Sequence, residues 1–259
     1  MRIRIAAPVL AGALALGGLT APAAFAANSA PTVGKIAVSS LVFGPNSTKT
    51  FTFTTTVSDD SGIKGVKMLP WPAALAAHGL EVTADMLRSD TDLPPVTCKA
   101  VSKTTSVCTH SEKINSFTDF HDNTVAGTWY TAILITGKDG GSTFKQKAAV
   151  FSFKHQATVD VNAGPEPVKK GGTLTVTGRL DRADWVTGRW AGFGKQVVRL
   201  QFRPSGGKTF TNVTSVTATS TGALRTTVKA TASGTWRYYF AGTGTTAGAT
   251  TAGDAVTVK

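Results

Sequence analysis

Apolar and polar positions alternate with a period of two along most of this chain, and turn-forming residues break the alternation at short intervals. Successive side chains of a strand point to opposite faces, so the pattern predicts half-buried strands. In the first half they fall at residues 35–43, 49–57, 63–68, 96–101, 105–108, 128–136 and 143–153. In the second half they fall at 173–180, 196–203, 209–217, 223–231, 235–240 and 254–258. Asp59-Asp60-Ser61-Gly62 and Asp139-Gly140-Gly141 are the clearest turns, because Asp and Gly suit tight-turn dihedrals. Residues 70–95 depart from the pattern. Here Pro72 to His78 reads as a helical turn or two, and Thr83 as the N-cap of a second short helix reaching Leu87. This segment is expected as an insertion packed over an edge or end of a sandwich.

Short strands at this spacing predict an all-β protein of two tandem immunoglobulin-like antiparallel β-sandwich domains. Val161-Asn162-Ala163-Gly164-Pro165-Glu166-Pro167 reads as the junction, so the domains are expected at 27–157 and 158–259. Gly127-Thr128-Trp129-Tyr130 and Gly234-Thr235-Trp236-Arg237 sit late in each half and would each open strand F.

The N-terminus has a different pattern. Arg2 and Arg4 precede an apolar stretch from Ala6 to Leu19, then Pro22 and Ala24-Phe25-Ala26. This is the order of a cleavable signal peptide over residues 1–26, too short in its apolar part to span a bilayer. A secreted, extracellular protein follows, with no transmembrane segment. In that compartment Cys98 and Cys108, with nine residues between them, are expected to form a structural disulfide across a hairpin.

Several stretches carry a family resemblance. Lys170-Gly171-Gly172-Thr173-Leu174-Thr175-Val176-Thr177-Gly178-Arg179-Leu180, Val198-Arg199-Leu200-Gln201-Phe202-Arg203, Thr221-Gly222-Ala223-Leu224 and Gly234-Thr235-Trp236-Arg237 resemble an immunoglobulin-like module of actinobacterial secreted proteins. The first half, with Val57-Ser58-Asp59-Asp60-Ser61-Gly62-Ile63 and the cysteine hairpin, is similar to an uncharacterised actinobacterial exported domain. The resemblance implies a fold and life outside the cell, and brings no activity or functional residue with it.

Charge changes the picture most. The net charge is +12, yet residues 27–155 hold 12 Lys and Arg against 10 Asp and Glu, while residues 156–259 hold 13 against 5. The second domain is therefore the basic one. Alternation turns Val198, Leu200 and Phe202 inward and Arg199 and Arg203 outward; in the next strand Trp236, Tyr238 and Phe240 oppose Arg237 and Tyr239. If these are strands C and F, Arg199, Arg203 and Arg237 form an outer basic patch beside Tyr239. Such a patch attracts anionic polymers in a salt-sensitive way, and outside a cell those are cell-wall polymers or polysaccharides, with no nucleic acid expected. The segment 181–195 is a second candidate: Trp185, Trp190 and Phe193 among Arg189 and its neighbours suit carbohydrate binding if the aromatics are exposed.

Asp59 and Asp60 in the B–C loop and Asp139 in the F–G loop would meet at one end of the first sandwich, where three carboxylates suit calcium. His121 with Asp119, Asp122 or His110 is a poorer set of metal ligands, matching no recognised spacing. No nucleophile elbow, zinc-protease motif, P-loop or dinucleotide fingerprint is present. Asp119 and Asp122 are the pair an extracellular enzyme would use, for glycoside chemistry. The reading that stands first is a secreted, non-enzymatic binding or structural protein of the cell envelope, with no cofactor unless calcium.

Overall fold

The computed structural model describes residues 28–259, so the predicted signal peptide lies outside the described residues. Among those described, no helix is long and apolar enough to cross a membrane.

The first sandwich is built from β1 (Thr32–Val38), β2 (Leu41–Phe43), β3 (Thr48–Ser58), β4 (Ile63–Pro72), β5 (Thr97–Ala100), β6 (Thr105–Asn115), β7 (Gly127–Gly137) and β8 (Ser142–His155). One sheet runs β1-β3-β6-β5 and the other β2-β8-β7-β4. This is the strand order ABED against A′GFC of an immunoglobulin sandwich. The predicted strand at 35–43 is two strands: β1 pairs antiparallel with β3, and after Ser39-Ser40 the chain crosses to pair β2 parallel to β8. Alternation sets the core. Phe51, Phe53 and Val57 point inward from β3 and meet Phe151 and Phe153 of β8 and Trp129 of β7.

The insertion forms α1 (Ala73–Ala77) and α2 (Ala84–Ser89), with the Thr83 hydroxyl accepting from Met86 N at 3.3 Å as its cap. It lies over a face of the sandwich rather than an edge or end. Val82 and Leu87 bury Trp71, Ala132 and Leu134 on the outer side of β4 and β7. That cover explains why β7 is apolar at consecutive positions from Ala132 to Ile135: both of its faces are inside.

The second sandwich holds β9 (Ala157–Val159), β10 (Asn162–Gly164), β11 (Thr173–Asp184), β12 (Arg189–Gly192), β13 (Val197–Pro204), β14 (Thr211–Thr217), β15 (Ala223–Lys229), β16 (Gly234–Phe240), β17 (Ala249–Thr250) and β18 (Asp254–Val256). β11 is the spine of one sheet, pairing β10 and β15 along its first part and β9 and β12 along its last. The other sheet runs β14-β13-β16-β17, with β18 also on β16. Its core gathers Leu174, Val176, Leu200, Trp236, Tyr238 and Phe240. The Tyr238 hydroxyl donates to Val176 O at 3.1 Å, and burial pushes its pKa up to about 12.

Candidate functional site

The segment 181–195 is not a loop. β11 continues through it and turns at residues 185–188 into β12, so the hairpin tip reaches the first domain. Trp185, offered above as a sugar platform, is 0% exposed. It joins the first domain's core against Phe120 and Phe43, with ring centroids 4.8 and 6.0 Å away, and its indole N–H donates to Phe43 O at 3.3 Å. A buried indole is unavailable to a sugar ring, so the paired platform of Trp185 and Trp190 is not formed. Phe193 is half-buried against Phe240 under the Arg182 guanidinium. Only Arg189 and Trp190 of that set face solvent.

What the hairpin builds is the joint between the domains. Asn123 accepts from Trp185 N at 2.9 Å and donates to Asp184 at 2.8 Å. His155 receives Ala247 N and donates to Thr245 O, both at 2.9 Å, and its ring lies 3.9 Å from that of Trp185. Its Nε2 is 3.2 Å from Asn123 O, while Nδ1 has no partner. Burial, with the nearby Arg182 guanidinium, lowers its pKa to about 4, against the opposing pull of Asp184.

At the far end of the first sandwich Asp59, Asp60 and Asp139 do converge, one oxygen of each lying within 4.8 Å of the others. The donor set has the chemistry of a hard-cation site. Its oxygens are already engaged, however. Ser29 N donates to Asp139 at 2.9 Å, the Ser29 hydroxyl contacts Asp59 and Asp60, and Gly141 N and Ser61 N supply further donors. The Gly141 N–H leads in holding the Asp139 carboxyl below its ordinary pKa. Gly137 and Gly141 permit the crowding: a Cβ at Gly137 would lie 2.7 Å from Asp59 Oδ1, and one at Gly141 would overlap Ser29 O. These carboxylates tie the start of the described chain to the loop end, and calcium would compete with Ser29 for them.

The other titratable candidates do not assemble. His110 is buried inside the sandwich, with Nδ1 3.0 Å from Pro95 O and Nε2 3.5 Å from Glu112; Glu112 leads in raising its pKa. Asp119 accepts from Asn115 N, and Asp122 from Thr124 N and its hydroxyl, so both are turn caps. His121 is exposed beside them, and among the described residues it joins no group of three ligands.

The arginines, by contrast, share one face. β13 and β16 are neighbours, and their register sets Arg199 opposite Tyr239, Gln201 opposite Arg237 and Arg203 opposite Thr235. Val198 and Leu200 turn inward with Trp236, Tyr238 and Phe240, which leaves the polar set outside. One member was missed by the sequence. Phe210, placed above at the start of a strand, lies between β13 and β14, and the guanidiniums of Arg237 and Arg203 both stack on its ring, at 3.7 and 4.6 Å from its centroid. Such stacking is worth about 0.5–2 kcal/mol each and fixes long side chains. The signal that marks it is an aromatic at the return of a hairpin whose first strand carries outward arginines. Among the described residues, arginine forms ion pairs at Arg88–Asp85 and Arg179–Asp181, and none at this face. Four of the five acids of the second domain are engaged elsewhere: Asp160 and Asp181 on Arg179, Asp184 on the joint, Asp254 on Ala163 N.

Residues 25–135, less than half of the chain, match the model of a family of unknown function, DUF5707. No curated protein matches the chain. Solved structures with similar arrangements include the full ectodomain of mouse nectin-like molecule 4, at 14% identity and a TM-score of 0.27, covering 89% of this chain and 65% of that one. The chain thus spans just under two thirds of that ectodomain. An amphioxus IgVJ-C2 molecule aligns at 13% identity, 84% and 99% coverage and a TM-score of 0.28. A bacterial ice-binding adhesin aligns at 12% identity, 90% and 66% coverage and a TM-score of 0.26. Scores this low carry no argument about partners.

Proposed function

We propose that this is an exported, non-enzymatic binding protein that attaches to anionic polymers of the cell envelope through the β13–β16 face of its second domain. The observation that carries the reading is three arginines on one sheet face that, among the described residues, form no ion pair with a carboxylate. A surface of this kind raises the local concentration of a polyanion, and its hold weakens as salt screens it. Two further features support it. The candidate catalytic carboxylates cap turns, and the immunoglobulin strand order supplies a rigid scaffold with a broad flat face.

The test is retention of the purified protein on isolated cell walls across a salt series, beside a variant with Arg199, Arg203 and Arg237 all changed to Gln. Retention should fall steeply between about 50 and 300 mM salt, as expected when several charges meet a polyanion, and the triple variant should be washed off at the lowest salt. Absence of retention at low salt sinks the proposal. Retention indifferent to both salt and the triple change moves attention to Arg189 and Trp190 or to the first domain.

A further inference from the structure

The arginines of the face are not equivalent, and two of them are built into a unit. Arg203 and Arg237 come from different strands, yet both guanidiniums rest on Phe210, so their carbons are no more than about 8 Å apart. Arg237 is held from a second side: its Nε donates to Gln201 Oε1 at 2.8 Å, and Gln201 Nε2 donates to Asn212 Oδ1 at 2.8 Å. A continuous line of contacts therefore crosses β14, β13 and β16 and ends on the stacked pair. Gln201 takes one of the five N–H donors of Arg237 and leaves the terminal amino groups for a ligand. Arg199 lies outside this unit. It is exposed, opposite Tyr239, about 13 Å from Arg203 along the strand.

The geometry points to Arg203 and Arg237, gathered on Phe210, as a discrete subsite for the tetrahedral oxyanion of a phosphate ester, so that the face selects phosphate-bearing polymers over carboxylate-bearing ones. This rests on the reading of the β13–β16 face as an anion-binding surface. One guanidinium fork engages both oxygens of a carboxylate in a single plane. A phosphodiester carries its charge on two non-bridging oxygens of a tetrahedral phosphorus, set farther apart than those of a carboxylate, and each oxygen can accept from a separate fork approaching along its own direction. Two like charges within about 8 Å of each other, with no ion pair to either among the described residues, are relieved by an anion that contacts both. Stacking and the Gln201 contact fix the forks before the ligand arrives, which lowers the ordering cost of binding. Arg199 then meets a neighbouring charge of the same polymer without adding selectivity.

The experiment compares binding of the purified chain to soluble poly(glycerol phosphate) and to a polyuronate of similar length and charge at low salt. The phosphate polymer should bind about tenfold more tightly. Phe210→Leu leaves the net charge unchanged and should erase most of that preference, while Phe210→Tyr, which keeps the ring, should retain it. Arg199→Gln should weaken both polymers alike. Equal affinity for the two polymers, or a preference that survives Phe210→Leu in a variant with unaltered melting, overturns the subsite and leaves the basic face standing. Failure to bind either polymer removes the face itself.

Discussion

Two buried histidines shift in opposite directions, and each shift follows from what the ring touches. His110 has Glu112 beside it, so its charged form is favoured. His155 is wedged against Trp185 with one nitrogen unpartnered, so its neutral form is favoured and its pKa falls to about 4. For His155 the unfolded chain takes up the proton first as pH drops below its ordinary value near 6.5. The stabilisation it contributes is therefore whole above that value and drains away down to about pH 4, a loss of about 3 kcal/mol. His110 works the other way, contributing below its ordinary pKa and losing that contribution as pH rises through the raised value. Urea unfolding from pH 7 to 4 should show the His155 loss, and His155→Gln should flatten the curve over this window while leaving the His110 contribution in place.

At the scale of elements, β5 is the weak edge. All four of its residues are exposed, and it is joined to the sheet by β6 alone, with Cys98 and Cys108 in register and bonded to each other. A cross-link across so short a loop stabilises by about 2–3 kcal/mol in the chain-entropy account. Changing both cysteines to Ala should lower stability in urea by about that amount. It should also raise hydrogen exchange in β5 and the facing part of β6, while β3 and β7 stay protected. The helical insertion behaves differently, because α2 carries Leu87 into a cluster with Trp71 and Leu134 and so serves as a lid on the first domain's outer face.

The two domains are docked through the β11–β12 hairpin and through the segment at 243–247. The second domain's Trp185 completes the first domain's core, while His155 and Lys154 of the first domain bond to residues 243–247 of the second. Two sandwiches docked in this way should unfold as one cooperative unit. Trp185→Ala removes a large buried ring, at a cost of about 3–5 kcal/mol. Calorimetry should then resolve two transitions where the parent shows one. The β13–β16 face lies on the domain's other sheet, so binding of a polyanion should survive this change.

Periodicity of two, with turns at short intervals, was enough to make the chain all-β and to divide it into two sandwiches of immunoglobulin strand order. It was also enough to turn Arg199, Arg203 and Arg237 outward together, because alternation on neighbouring strands is a local rule. The approach of Asp59 and Asp60 to Asp139 followed from loop positions that the strand order implies. Alternation along one strand does not say what lies beyond its end, so only the tertiary structure put Trp185 inside another domain rather than against a sugar. It likewise turned 70–95 into cover for a sheet face and stacked two guanidiniums on Phe210. Each of these depends on contacts between residues far apart in the chain, whose pairing is decided by which apolar surfaces remain to be covered once the sheets have formed.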